Sequence, residues 1–267
     1  MFSRRKGRYA VRLANGPEDL SAAQRLRYLA FVSGSKATPR PHAQDPHAQD
    51  DTQDNGHDDG HDSDAFDALC DHVLVEDARS GQLVCTLRLL PLRGGAEIAG
   101  SYSAQYYGLE ALYDYPGAMV EMGRFCIHPE WHDPDILRIA WGAVATYVEA
   151  RKIDLLFGCS SFHGTDTGQY ADAFAMLKAR HLAPKRFLPR VKAPQVFPFA
   201  ARLRRKPDAK KAMRKMPPLL RSYLMLGGWV SDHAVVDREL NTLHVFTGLE
   251  IRTIPPARQK LLRAVMT

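Results

Sequence analysis

The chain has 267 residues, 45% hydrophobic and 25% charged, with a formal net charge of +6. That is the composition of a globular protein long enough to bury a core without disulfide or metal staples, and no stretch approaches the ~18 consecutive apolar residues of a membrane-spanning helix. Cys70, Cys85, Cys126 and Cys159 are widely spaced with no Cys-x-x-Cys, and the opening MFSRRKGRYAVRLAN lacks the apolar segment of a secretory signal. Neither a disulfide framework nor a metal site is expected, and the expected compartment is the reducing cytoplasm.

In chain order, Tyr9, Val11 and Leu13 alternate as in a strand. Asn15-Gly16-Pro17 opens a helix whose first turn carries Glu18 and Asp19, favourable to its dipole, with Leu20, Ala23, Leu26 and Ala30 along one face. Residues 39–64 contain a tandem PHAQD duplication and almost no apolar side chain, so they read as a mobile loop insert. Two strand-like runs, His72–Glu76 and Leu83–Leu90, flank the turn Asp77-Ala78-Arg79-Ser80-Gly81 as a hairpin. Met119–His128 reads as a strand, a helix follows from Asp133-Pro134, and Ile153–Cys159 reads as a short buried strand. Thr167–His181 is expected helical, 190–215 irregular, Pro217–Leu226 helical up to Gly227-Gly228, and Leu243–Ile251 a last strand. This order describes a mixed α/β (α+β) sheet with helices in a single domain, 1–267.

Charge is unevenly distributed. Between Lys178 and Arg221 there are fifteen Lys or Arg residues against one acid, Asp208. Such a segment, densest from Arg202 to Lys215, calls for a polyanionic partner or an anionic surface. No RRM, helix-turn-helix or zinc-finger signature accompanies it, so nucleic acid is not the expected partner.

The chain holds no Walker A loop, no G-x-G-x-x-G after a strand, no G-x-S-x-G and no H-E-x-x-H. Instead, ionisable residues stand inside apolar runs, where an unpaired charge is costly. Glu121 and Arg124 interrupt VEMGRFCIH, and Arg88 interrupts LVCTLRLLP. On a regular strand Glu121 and Arg124 point to opposite faces, and Gly123 between them would permit a bulge. Arg27 and Phe31 are one helical turn apart, and Asp64 and Asp67 sit where the insert rejoins the fold. The group contains a buried acid suited to general-base work and carboxylates for a cationic substrate. His128 is a second-choice base. Cys126 and Cys159 lack a partnered His–acid pair and read as core residues.

Arg27-x-x-x-Phe31, Asp64-Ala-Phe-Asp67, Arg88-Leu-Leu-Pro91 and Glu121-x-x-Arg124-Phe125 resemble the motifs of acyl-homoserine-lactone synthases, relatives of the GNAT N-acyltransferases. The tryptophan those synthases place after the first helix is missing, which argues against a sulfonium-bearing adenosyl substrate. A longer set, FDALCDHVLVEDARSGQLVCTLRLL, VEMGRFCIHPEW, IDLLFGCSSFHGTD, MPPLLRSYLMLGGWV and AVVDRELNTLHVF, is similar in order to the ornithine N-acyltransferases of ornithine-lipid synthesis.

The resemblance implies a GNAT-type mixed central sheet with helices on both faces, and two parallel strands, Met119–His128 and Ile153–Cys159, that splay to admit a pantetheine arm. It implies transfer of a (3-hydroxy)acyl chain from acyl carrier protein to the α-amino group of L-ornithine, with no tightly bound cofactor. The alternatives are the same chemistry on another amine (lysine, glutamine, glycine or the homoserine-lactone synthase type) and a non-catalytic module that binds acyl carrier protein or membrane. Glu121 and Arg124 would be catalytic. Arg27, Phe31, Asp64, Asp67 and Arg88 would bind the amino acid, while Gly123, Phe125, Cys126, Arg204 and Arg205 would face the donor. The basic segment would dock the acidic carrier protein or an anionic inner-membrane surface.

Overall fold

The computed structural model describes residues 3–32 and 60–266. Its strands are β1 (Ser3–Lys6), β2 (Tyr9–Leu13), β3 (Asp71–Asp77), β4 (Leu83–Leu92), β5 (Tyr107–Gly108), β6 (Met119–Ile127), β7 (Leu155–His163), β8 (Arg190–Val191), β9 (Val196–Phe197), β10 (Trp229–Val230), β11 (Ala234–Asp237) and β12 (Thr242–Glu250). The helices are α1 (Pro17–Phe31), α2 (Pro134–Ala150), α3 (Ala171–Arg180), α4 (Phe199–Arg202), α5 (Ala209–Lys215), α6 (Pro218–Met225) and α7 (Pro256–Met266). The described residues group into two compact units, residues 1–88 with 124–140 and residues 89–123 with 141–267, and β4, β6 and α2 contribute to both.

In the first unit the strand order is β1-β2-β3-β4-β6. β2 pairs antiparallel with β3 from Tyr9↔Asp77 to Leu13↔Val73. Alternation sends Tyr9 and Val11 inward, where Val73, Val75, Val84, Cys85 and Leu87 are also buried. α1 begins where Gly16 takes φ 98° and Pro17 fixes the first turn. The Asp19 carboxylate accepts the Asn15 amide at 2.7 Å and two Arg12 guanidinium bonds. α2 opens at Asp133, whose side chain accepts the Asp135 amide at 2.9 Å and the Tyr9 hydroxyl at 2.7 Å.

In the second unit the order continues β4-β6-β7-β12-β11-β9, with β10 also paired to β12. β7 and β12 form a long antiparallel ladder, Thr242↔His163 through Glu250↔Leu155. β6 and β7 run parallel, but their register covers only Met119↔Leu155, Val120↔Leu156 and Glu121↔Phe157. The next residue on β7, Gly158, has φ 156°, and a Cβ there would meet the Met122 carbonyl oxygen at 2.2 Å. Only glycine allows this approach as the ladder ends. An apolar cluster of Phe162, Phe174, Phe199, Ala212, Met216, Leu220, Val230 and Leu243 anchors α3, α4, α5 and α6 to β7, β10 and β12.

The expected mixed α/β sheet is present. The hairpin, the 119–128 strand and the helix after Asp133 fall where the sequence puts them. One expectation is corrected. Residues 190–215 are not irregular, because α4 and α5 form there. Asp208 caps α5 by accepting the Lys211 amide at 3.0 Å, and Ala212 and Met216 are buried below it. Most of the 39–64 insert lies outside the described residues, but its last five residues are placed, and Asp62 is fully buried.

Candidate active site

Glu121 lies in the second unit, third residue of β6, and is 4% exposed. Its carboxylate accepts the Tyr102 amide at 2.7 Å, the Ser103 amide at 2.7 Å and the Ser103 hydroxyl at 2.5 Å. Charge-assisted bonds of this kind satisfy a buried carboxylate and fix its direction. Ser103 Oγ also lies 3.4 Å from Cys159 Sγ on β7. Burial pushes the Cys159 thiol well up, so it remains a thiol that can donate to Ser103. Tyr102 and Ser103 reach the carboxylate because short 3₁₀ turns over Gly95–Gly100 and Ser103–Gln105 present their amides.

Further along β6 the backbone breaks its pattern. Arg124 has φ 51°, in the left-handed region, while Gly123 does not. The deviation expected at Gly123 is therefore carried by the residue after it, at a cost of about 1 kcal/mol for a non-glycine side chain.

The first unit contains a dense ion-pair network. Arg27, 1% exposed, donates from Nε to Asp62 Oδ2 at 2.8 Å and from its two Nη atoms to Asp67 at 2.7 and 2.9 Å. It also donates to the Asp62 carbonyl. Arg88 bridges Asp64 and Asp67, with bonds of 2.5 and 2.8 Å to the first and 2.7 Å to the second. Arg124 Nη2 donates to Asp64 at 3.0 Å, and its Nε lies 3.5 Å from Asp62 Oδ2. Gln24 and the His72 ring complete the shell around Asp67. Burial alone would raise Asp64 and Asp67, but the guanidiniums of Arg88 and Arg27 outweigh it and hold both below the usual carboxylate range. Three arginines thus balance three aspartates, which is how so many charges are buried in one place.

The network joins five of the residues singled out from the sequence: Arg27, Asp64, Asp67, Arg88 and Arg124. It assigns them unequal positions. Arg27, Asp67 and Arg88 are deep and satisfied by one another, whereas Asp64 and Arg124 keep 11% and 13% of their side-chain surface exposed. Phe31 and Phe125 are half-buried, and Cys126 is buried with its thiol pushed up to about 12 by burial. His128 accepts the Glu130 amide and contacts Gln82. Arg204 and Arg205 are exposed, the latter pairing with Asp172 at 2.7 Å. Sequence reasoning missed two residues. Asp62 was hidden in a low-complexity run, and Ser103 lies in a stretch without periodicity. The cost of burying Arg27 unpaired was the available signal for an extra acid.

Residues 26–142 match the family model described as an acetyltransferase (GNAT) domain. The chain is 34% identical to the L-ornithine N(alpha)-acyltransferase of Rhodobacter capsulatus, over 89% of this chain and 88% of that one. It is 32% identical to the protein of that name from Brucella abortus, over 94% and 87% of the two chains. Among solved structures, a CoA-dependent acyl-homoserine lactone synthase with SAM and isopentyl-CoA aligns over 93% of this chain and 82% of that one, at 14% identity and TM-score 0.47. Kinship at this level over nearly the whole length is decisive: the chain belongs to the L-ornithine N(alpha)-acyltransferase family of GNAT-type acyltransferases.

Proposed function

We propose that the protein transfers a (3-hydroxy)fatty acyl chain from acyl carrier protein to the α-amino group of L-ornithine, giving lyso-ornithine lipid. Full-length kinship with the curated ornithine acyltransferases carries this reading, and the buried Glu121 carboxylate supplies the chemistry it needs.

In the reaction the neutral amine attacks the thioester carbonyl. A C–N bond forms, the C–S bond breaks, and the amine loses a proton as the thiol leaves with one. Glu121 accepts the amine's proton, directly, through a water, or through Ser103. In the last route Ser103 Oγ takes the proton from nitrogen and passes its own to Glu121, to which it is hydrogen-bonded. A backbone amide near Gly123 or Arg124 stabilises the developing oxyanion. Asp64 and Arg124 keep partly exposed side chains in the first unit, and the resemblance to the ornithine acyltransferases is what assigns them to the substrate's ammonium and carboxylate. Arg27, Asp67 and Arg88 hold that pair in place.

The donor is read as acyl carrier protein because a strongly acidic protein complements the exposed Lys210, Lys211, Arg214 and Lys215 of α5. Among the described residues no helix is long and apolar enough to cross a membrane. The same basic surface would hold the enzyme peripherally on anionic lipid, where an acylated product belongs.

The test is acyl transfer from 3-hydroxyacyl carrier protein to ornithine, lysine, glutamine and glycine, read by mass spectrometry. An ornithine-dependent amide supports the reading. Product with another amine only would move the substrate, and no product with any amine would overturn the activity.

A further inference from the structure

The second unit has a cleft that the reaction does not use. It lies at the start of β6 and β7, beside Gly117 and Asp154, and encloses about 570 Å³. Gly117 precedes Glu121 by four residues, roughly 13 Å of extended strand, so the cleft is well removed from the reacting acid. Asp114 and Asp154 line it and are exposed, and neither carboxylate has an ion-pair partner among the described residues. Arg186 and Arg252 also line the cleft. Both are anchored on Glu250, which is 5% exposed, with contacts of 3.6 Å to Arg186 and 3.0 Å to Arg252.

This lining is built rather than accidental. The buried Glu250 fixes two long, exposed guanidiniums against the cleft, and a Cβ on Gly117 would stand 2.3 Å from Asp154 Oδ2. Tyr115 also lines the cleft, its ring 5.8 Å from that of Phe187. Burial, then Glu250 and Asp154, push its hydroxyl above the usual range, so it stays a hydrogen-bond donor.

We propose that this cleft is a second binding site, for a free cationic α-amino acid. Arg186 and Arg252 would take the ligand's carboxylate, and Asp114 and Asp154 its ammonium groups. The charge balance selects the class. Three acids and two arginines leave the cleft one negative charge, which a ligand with one carboxylate and two ammoniums neutralises. Glycine or another monoamino acid leaves one acid unanswered, and an acidic amino acid is repelled. The inference concerns binding alone and does not require that ornithine be the amine acylated.

Equilibrium dialysis of the full chain with labelled L-ornithine, L-lysine and L-arginine tests it, with glycine and L-glutamate as controls. The expected result is binding of the cationic amino acids that weakens tenfold or more in Asp154→Asn and in Arg252→Gln, neither of which touches Glu121 or the Arg27 network. In parallel, Arg124→Ala should leave this binding in place while impairing acyl transfer. Cationic amino-acid binding unaffected by Asp154→Asn and Arg252→Gln, or equal binding of glycine, would overturn the site. Because acyl transfer is measured separately, loss of the site and loss of the catalytic reading are distinguishable. Gly117→Ala gives an independent check, since displacing Asp154 should weaken binding without changing any charge.

Discussion

The hydroxyl of Ser103 lies 2.5 Å from a carboxylate oxygen of Glu121, whose other oxygen is held by the Tyr102 amide at 2.7 Å. The carboxylate that we propose as the general base is therefore fixed by a 3₁₀ turn earlier in the chain. Glu121→Gln should lower kcat by about 100-fold or more, in the range of lost general-base catalysis, with donor KM little changed. Ser103→Ala should cost less if water replaces the hydroxyl, and steady-state kinetics of both variants would show the ranking. Full activity in Glu121→Gln would remove Glu121 from the chemistry.

Arg27 and Arg124 belong to one network but should behave oppositely. Arg27→Ala leaves two buried aspartates without their main partner and should destabilise the fold by about 3–5 kcal/mol. Arg124→Ala removes a partly exposed member and, because alanine keeps the Cβ, leaves the cost of the left-handed φ unchanged, so its thermal midpoint should move far less than that of Arg27→Ala while the KM for the amino acid rises. Denaturation and kinetics on the same two proteins check both statements.

Acid sensitivity should begin above the carboxylate range. Burial, then the neighbouring His233, lowers His244 from 6.5 to about 4. A histidine depressed in the fold contributes stability that is complete above its unfolded value and is lost as pH falls. The loss should run from about pH 6.5 down to about pH 4 and amount to at most about 3 kcal/mol. Below that, Asp64 and Asp67, held low by their arginines, add a second loss as they protonate. His244→Asn should flatten the upper part of the stability–pH curve and leave the lower part.

If the carrier protein docks on α5, charge reversal at Lys210, Lys211, Arg214 and Lys215 should raise the KM for acyl carrier protein about tenfold or more. Wild-type affinity should fall with added salt. Phe174, Phe199, Ala212 and Met216 form the layer below, so these exposed substitutions should leave the midpoint of unfolding unchanged. Salt-independent affinity would contradict the docking role.

Much of this was legible in the sequence because burial of charge is expensive and leaves marks. Glu121, Arg124 and Arg88 stand out inside apolar strands, and Arg27, Asp64 and Asp67 join them on sequence pattern alone. What the residues could not show was the division of labour. That Asp64 and Asp67 are already engaged by arginines depends on four segments meeting in space: α1, the 62–67 segment, β4 and β6. Backbone amides such as those of Tyr102 and Ser103 carry no side-chain signature. Asp62 was masked by its low-complexity surroundings. α5 was missed because only Ala212 and Met216 mark its inner face among lysines and arginines. The strained residue was misplaced by one: Gly123 has the conformational freedom, but Arg124 takes the positive φ.

The most direct test of the central claim uses L-ornithine carrying ¹⁵N at the α-amino group, incubated with the purified chain and 3-hydroxyacyl carrier protein. Fragmentation of the product should place the label in the new amide bond, with the side-chain amine unmodified and no product from Glu121→Gln. An acyl group on the side-chain nitrogen, or carrier protein recovered fully acylated in the presence of ornithine, would contradict it.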